Sequence, residues 1–290
     1  MQSYKISKII TTILIWIDII VVAIVVLYPL VWVVGSSLNP FNGIGRSQMI
    51  PDNPTLNNYI RLFKPIVGEE TRFPFIRNYK NWYLNTFYVA VLTTVFSIII
   101  HTMTAFVFAR FNFKGRKMGL LFVMILQMFP SFMGLTALYM VALNFNMLNN
   151  LNMLVIIYVA GGIPGNIWLV RGYMLNIPKS LDEAASIDGV TKLQLFFRII
   201  LPLSMPIIFF IAVTSFMGPW MDYMLPRYLI NQSEKRTLAM GIFDLINGST
   251  ADFTAFCAGS VLVAIPITIL YMVFQKFLLE GLTAGANKGE

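Results

Sequence analysis

Charged residues, cysteine and histidine are scarce in this sequence. Only 12% of its 290 residues are charged, about half the share found in a soluble domain, and that is too few to cover a water-facing surface. The single cysteine, Cys257, cannot form an internal disulfide, and no CxxC metal motif is present. The single histidine, His101, lies in an apolar run, where a packed, hydrogen-bonded role is commoner than metal binding.

Sequence motifs for nucleotide hydrolysis and metal-dependent proteolysis are also absent. There is no G-x-x-x-x-G-K-[ST] phosphate loop and no H-E-x-x-H motif. Without a phosphate loop the chain cannot hydrolyse ATP in the usual way, so no cofactor is expected in it. The lack of a nucleophile–base pair or a metal cluster also counts against an intramembrane enzyme.

The net charge of +8 has two possible meanings. Basic chains often bind nucleic acid, but here no separate basic domain is left over for that role. The basic residues instead cluster in short loops between apolar runs, as the positive-inside rule for membrane proteins expects. We therefore predict a lipid bilayer as partner and no nucleic acid.

Long apolar runs are abundant, and about 20 residues suffice to cross a bilayer as a helix. The first run is too long for the core of a signal peptide, so we expect it to be retained. The pattern predicts an all-α membrane protein with six transmembrane helices. Residues 1–81 would hold the first helix and an external loop, 82–279 a five-helix core, and 280–290 a cytosolic tail. The six runs are Ile9–Val34, Leu84–Ala109, Met118–Ala142, Leu151–Leu175, Leu203–Leu225 and Phe256–Leu279.

Loop charge predicts the orientation. The loop after the second run contains Arg110, Lys114, Arg116 and Lys117, whereas residues 143–150 contain no Lys or Arg. The positive-inside rule places the first of these loops in the cytosol and the second outside. Six spans then put both termini in the cytosol. The long connections 35–83 and 226–255 are external, and 176–202 is cytosolic.

The cytosolic connection has signals for two short helices. Ser180 with Glu183, and Thr191 with Gln194, have capping-box spacing. A helix should therefore begin at Leu181, close at Gly189 in a left-handed conformation, and be followed by a second helix over 192–201 that Pro202 interrupts. Small residues and carboxylates favour protein docking. An amphipathic hairpin on the membrane is the alternative, although such helices are usually rich in Lys and Arg.

The same connection contains a motif at fixed spacing, EAA-x3-G-x9-I-x-L-P. It resembles the EAA loop of binding-protein-dependent ABC importers. Further stretches, Met128–Pro130, Ala264–Thr268 and Gly281–Gly285, resemble the MalG-like sugar permeases of that family. The residues that carry the docking prediction are Glu183, Ala184, Ala185, Asp188, Gly189, Ile199, Leu201 and Pro202.

The resemblance implies that this loop is a coupling helix that docks into a cleft of a cytosolic ATPase. The expected partners are a second permease subunit, two copies of the ATPase that bind ATP and Mg, and an extracytoplasmic sugar-binding protein. The complex would import a sugar, such as a maltodextrin-type oligosaccharide, across the bacterial plasma membrane by alternating access. The resemblance also assigns a binding-protein contact loop, with Gly241, Asn247, Gly248, Ser249 and Asp252, for which an ordinary solvated loop is the alternative. The three glycines of the tail suit an extended segment against the ATPase, with Gly281, Thr283 and Gly285 as contacts, and a disordered end is the alternative.

An ion-gradient-driven secondary transporter is the alternative function. It would need ionisable groups inside the membrane, usually within paired repeats, and no repeat is visible. Asp18 and His101 are a small supply of such groups. Asp18 would cost about 2.5–3.5 kcal/mol at the centre of a lipid-facing helix, and we favour a structural pair with a partner subunit. Neither the sugar nor its contact residues can be assigned from the sequence.

Overall fold

The computed structural model describes residues 2–43, 48–63, 79–128, 131–246 and 251–286. These residues form helices and connecting turns, with no strand among them, so the all-α prediction is confirmed. Short 3₁₀ helices occur at Ser131–Gly134 and Ser233–Lys235. The α-helices are α1 Gln2–Ser37, α2 Asn57–Phe63, α3 Tyr79–Arg110, α4 Arg116–Gln127, α5 Leu135–Asn144, α6 Leu151–Leu175, α7 Ser180–Ile187, α8 Lys192–Leu195, α9 Leu201–Leu203, α10 Met205–Met221, α11 Met224–Leu229, α12 Leu238–Ile246 and α13 Phe253–Ala286.

Four helices in the described part of the chain are long and apolar enough to cross a bilayer, namely α1, α3, α6 and α13. Helices suit this environment because all their backbone hydrogen bonds lie within one segment. A fifth candidate is a bent pair, in which Lys192–Leu203 and Met205–Met221 meet at 78°.

The third predicted span, Met118–Ala142, is not one continuous helix. It is divided between α4 and α5, with the 3₁₀ turn Ser131–Gly134 between them and residues 129–130 outside the described part. The 12 residues of α4 extend only about 18 Å at 1.5 Å each, less than the roughly 30 Å of a bilayer core. The count of six spans therefore stays a prediction.

The chain divides into two compact units, Met1–Arg77 with Ile242–Ala264 and Asn78–Gly241 with Ile265–Glu290. In the first unit, Asn58 donates hydrogen bonds to the carbonyl oxygens of Ser37 and Asn39 at 2.8 and 2.9 Å. These bonds fasten α2 to the end of α1. The most apolar stretch of α1 has no buried residue, and Asp18 is exposed on it. Pairing of Asp18 with another subunit stays a prediction.

In the second unit, α3 packs along α6 and against α10. His101 lies fully buried in this packing. Its Nε2 is 3.0 Å from the Val159 carbonyl oxygen, and its Nδ1 is 2.9 Å from the Asn166 amide nitrogen. A carbonyl can only accept, so Nε2 donates and Nδ1 accepts. The ring is therefore neutral with both nitrogens paired, which confirms the packed, hydrogen-bonded role.

Single cysteines test the predicted orientation. Lys114→Cys and Phe145→Cys place thiols at exposed positions in the two loops whose charges differ, and native Cys257 is buried. We expect a membrane-impermeant maleimide added to intact cells to label position 145 and to miss position 114 until the cells are opened. Labelling of position 114 alone in intact cells would reverse the orientation.

Candidate functional site

The coupling segment, residues 176–204, begins with a turn and then α7. This helix starts at Ser180, with Lys179 as N-cap and no side-chain cap. The predicted start at Leu181 and the Ser180–Glu183 capping box are therefore wrong. Backbone carbonyls already close the first turn, because the N–H groups of Leu181 and Asp182 donate to Pro178 and Lys179. Because the turn after Pro178 supplies these acceptors, the Ser180 hydroxyl is not needed to cap the helix.

The corner after α7 is a Schellman motif. The Val190 N–H donates to the Ala185 carbonyl at 2.9 Å, and the Gly189 N–H donates to the Ser186 carbonyl at 3.2 Å. Gly189 has φ of +72°, which confirms the predicted left-handed closure. A Cβ at this position would meet nothing within 4 Å. Glycine is therefore required by the backbone conformation and not by lack of space.

The second half of the segment begins with the predicted capping box. The Thr191 side chain accepts from the Gln194 N–H, and the Gln194 side chain accepts from the Thr191 N–H. The helix then passes through a π-helical turn, Phe196–Ile200, and continues through Pro202 to Leu203. Pro202 does not interrupt it, and the break comes at Ser204. The wider π turn lies where the proline ring would press on the carbonyl of Arg198.

The EAA residues have opposite orientations. Glu183 and Ala184 are exposed, as are Asp188 and Gly189, whereas Ala185 is only 5% exposed. Ala185 packs in a cluster with side chains from α3, α6 and α10, and Ile199 and Leu201 pack against the same cluster. Pro202 is exposed. One face of the segment is thus fixed to three long helices, and the other face is presented to solvent. The buried residues of the cluster are Ala105, Phe106, Ala109, Val170, Met174, Ile177, Ala185, Leu195, Phe196, Ile200, Ile207, Ile208 and Ile211.

An ion pair reinforces this attachment. Arg110, in the last turn of α3, has its Nε 3.0 Å from the Asp182 carboxylate on α7, and both side chains are largely buried. The same guanidinium donates to the Ile177 carbonyl at 3.0 Å. From the sequence, Arg110 belongs to a charged cytosolic loop, and Asp182 is one of several carboxylates in the short helix. The pair is not predictable from the sequence because nothing local relates residues that lie 72 positions apart.

Two apolar side chains of the exposed face were also missed. Ile187, at the end of α7, is 87% exposed, and Leu193 on α8 is 65% exposed. Large apolar side chains beside an exposed carboxylate are typical of a protein-binding surface, in which an apolar anchor is surrounded by polar groups. The signal available in the sequence was an isoleucine between Ser186 and Asp188 in an otherwise polar turn.

The family described as "Binding-protein-dependent transport system inner membrane component" matches residues 101–283. The chain belongs to this family. It is 40% identical to the galactooligosaccharides transport system permease protein GanQ of Bacillus subtilis and 37% identical to the maltodextrin transport system permease protein MdxG of the same organism, each over 92% of both chains. Its fold resembles that of a bacterial ABC transporter involved in the import of the acidic polysaccharide alginate, with a TM-score of 0.76, 23% identity and 96% and 98% of the two chains covered.

The predicted binding-protein loop is only partly described. Asn247, Gly248 and Ser249 lie outside the described residues. Asp252 is fully buried. It caps α13 by accepting from the Ala255 N–H at 3.0 Å, and it pairs with Arg61 at 2.9 Å. In this conformation Asp252 supports the end of the loop and does not present its carboxylate to solvent.

Gly241, the first residue assigned to that loop, is buried against Trp82. A Cβ at position 241 would lie 1.9 Å from a ring carbon of Trp82, so only glycine allows this approach. Trp82 in turn donates from its indole nitrogen to the Ser233 carbonyl at 2.6 Å. Gly241 therefore has a packing role here, and contact of the loop with a binding protein stays a prediction.

The C-terminal tail differs from the prediction in conformation. We expected an extended segment, but α13 is helical to Ala286 and includes Gly281, Thr283 and Gly285. Glycine weakens a helix by about 1 kcal/mol without ending one that is already formed, and no proline occurs after Pro266. Contact of the tail with an ATPase stays a prediction.

Substitutions at Gly189 separate conformation from size. Gly189→Asn should be tolerated because asparagine readily adopts a left-handed φ. An ordinary residue in this conformation lowers stability by about 1–2 kcal/mol, and Gly189→Val should lower it further because valine is β-branched. Space is not limiting for either. We expect ATPase co-purification and uptake to survive in the Asn variant and to fall in the Val variant, at equal membrane abundance. Equal loss in both would mean that size at the docking face matters instead.

The Arg110–Asp182 pair is testable by a double-mutant cycle. Arg110→Met leaves a largely buried carboxylate unpaired, which costs about 3 kcal/mol. Adding Asp182→Leu should recover most of this loss, since an apolar pair can replace a buried ion pair. The measurement is thermal unfolding of the purified protein in detergent. Additive effects of the two single changes would contradict the pairing.

Proposed function

We propose that this chain is a membrane-spanning permease subunit of an ABC importer for oligosaccharides, driven by ATP hydrolysis in a partner subunit. The observation that carries the proposal is the two-faced coupling segment. Its exposed side offers Glu183, Ala184 and Ile187 to a partner, and its inner side is fixed to α3, α6 and α10. A partner bound at the exposed face can therefore move the spans.

The proposed assembly contains this chain, a second permease subunit, two copies of a cytosolic ATPase and an extracytoplasmic sugar-binding protein. ATP and Mg bind in the ATPase subunits. The coupling segment and both termini face the cytosol, and the segments between residues 226 and 255 face the binding protein. The family's description supports dependence on a binding protein. An alginate ABC transporter of similar fold forms a complex with an alginate pentasaccharide-bound periplasmic protein.

The names of the relatives support an oligosaccharide as substrate. GanQ is a galactooligosaccharides permease protein, and MdxG and the Streptococcus pneumoniae protein MalD are maltodextrin permease proteins. All three align over at least 92% of this chain. We therefore place galacto-oligosaccharides and maltodextrins first among the substrates to test.

His101 disfavours a secondary transporter. A proton-coupled carrier needs a group in the membrane that exchanges protons, and the sole histidine has both ring nitrogens engaged by Val159 and Asn166. Protonating this ring would require Nδ1 to lose its bond from the Asn166 amide. The geometry favours a structural role for this residue.

A charge reversal at the docking face tests the function. Glu183→Lys combined with Ile187→Ser should abolish ATPase co-purification and ATP-driven uptake. In the docked complex the new lysine would be an unpaired, partly buried charge, which costs about 3–5 kcal/mol. This cost corresponds to a loss of affinity for the ATPase of at least about a hundredfold. The matched control is Asp52→Lys, which reverses an exposed carboxylate outside both the coupling segment and residues 226–255. Membrane abundance is measured in parallel. Normal uptake in the double variant, or equal loss in the control, would refute the docking role.

The energy source and substrate are tested in proteoliposomes of the co-purified assembly with the binding protein. We expect ATP enclosed on the ATPase side to drive uptake of labelled galacto-oligosaccharides or maltodextrins, and ionophores to have no effect. Uptake that follows an imposed ion gradient without ATP would support a secondary transporter instead.

A further inference from the structure

A cavity of about 570 Å³ lies where α3 ends, α4 begins and the last third of α6 passes. We call it the basic pocket, after the three cationic residues that line it, Arg116, Lys117 and Arg171. Asn112 is its remaining polar side chain, and no carboxylate lines it. Arg171 lies four residues before the end of α6 at Leu175, so the pocket lies at the end of α6 that leads into the coupling segment.

The two arginines of the basic pocket are held by neutral groups. The Nε atoms of Arg116 and Arg171 both donate to the Phe108 carbonyl, at 3.0 and 3.2 Å. Arg116 also donates to the Asn112 side chain at 2.7 Å. Neither guanidinium has an ion pair within the described part of the chain. Two half-buried cations that share one carbonyl repel each other, and an anion between them would relieve that repulsion.

The geometry suits a phosphate group. Within the described residues, the terminal nitrogens of Arg171 have no hydrogen-bond acceptor, and its guanidinium is 5.5 Å from the centre of the Trp168 ring. This stacking holds the planar group in one orientation, and a planar guanidinium binds phosphate oxygens in pairs. The positive end of α4, whose N-cap Gly115 provides no side-chain cap, lies at the same place and adds favourable potential.

The remaining lining is apolar. Phe113, Met118 and Leu120 line the pocket beside the cations. From there α4 continues with exposed Leu121, Phe122 and Ile125, a surface that suits hydrocarbon chains. A free phosphate or an acidic peptide would use the cations alone. A molecule with an anionic head and apolar chains would use both parts.

We propose that the basic pocket binds the phosphate headgroup of an anionic phospholipid, whose acyl chains lie along the exposed apolar side of α4. Basic pockets between membrane helices on the cytosolic side are a known type of site for such headgroups. The inference does not depend on the transported substrate or on the ATPase. A bound headgroup would give a role to Arg171, Arg116 and Lys117, which take no part in the proposed docking of the ATPase.

The test is native mass spectrometry of the full-length chain in its co-purified assembly, exchanged into phosphatidylglycerol or phosphatidylcholine. We expect retained phosphatidylglycerol, and about thirtyfold weaker retention in Lys117→Gln with Arg171→Gln, since each cation near a phosphate contributes about 1 kcal/mol and about 1.4 kcal/mol is tenfold in affinity. Lys114→Gln with Lys276→Gln is the matched control, because both lysines are exposed and lie outside both the pocket and the coupling segment. Retention in the control variant should be unchanged.

Three results would overturn the proposal. The first is equal loss in the pocket and control variants, which would indicate general attraction between charges. The second is displacement of the lipid by inorganic phosphate at millimolar concentration, which would indicate a site for free phosphate. The third is lipid binding only after removal of the ATPase, which would indicate a protein contact. If the double variant fails to assemble, Lys117→Gln alone is used, because this lysine is exposed and its side chain makes no hydrogen bond within the described residues. The single change should still lower retention about fivefold.

Discussion

The attachment of α7 to the ends of the long helices is the interaction on which the coupling segment depends. A helix of eight residues is too short to be stable alone in water. Burial of Ala185 and the Arg110–Asp182 pair supply what local propensity lacks. Because both contacts use the inner face, the outer face stays available with Glu183 and Ile187 exposed. Removing the inner contacts would therefore disturb docking without touching any docking residue.

A second constraint is that polar groups within the bilayer must find partners inside the protein. His101 meets Val159 and Asn166, and the Tyr158 hydroxyl lies 3.0 Å from the Asp222 carboxylate. These pairs join neighbouring helices. Gly162 permits the first of them, since a Cβ there would lie 3.0 Å from the imidazole ring. The polar groups of these two pairs thus hold neighbouring helices together, and they are not by themselves a sign of ion transport.

The sequence predicted features that depend on local chemistry. Long apolar runs gave α1, α3, α6 and α13, and the Gly189 closure and the Thr191–Gln194 box were found in place. Features that depend on distant contacts were missed. Arg110 looked like an ordinary positive-inside residue until its pairing with Asp182 was visible, and Asp252 looked like a loop residue although it is buried against Arg61. The sequence predicts that Pro202 interrupts its helix. The wider π turn before it leaves room for the proline ring, and the break falls at Ser204.

The short connections around α7 explain why a docked partner would move the spans. Only residues 176–179 separate α6 from α7, and only 188–191 separate α7 from α8. The first connection is held by the Arg110 bond to Ile177, and the second by the Schellman bonds at Gly189. A fully extended residue spans at most about 3.3–3.6 Å. A turn that is held by hydrogen bonds cannot lengthen toward this limit without breaking them. A displacement of α7 by a few ångströms must therefore pass to α6 on one side, and through α8 and α9 to α10 on the other. The 78° bend at Ser204 would change the direction of that displacement before it enters the membrane.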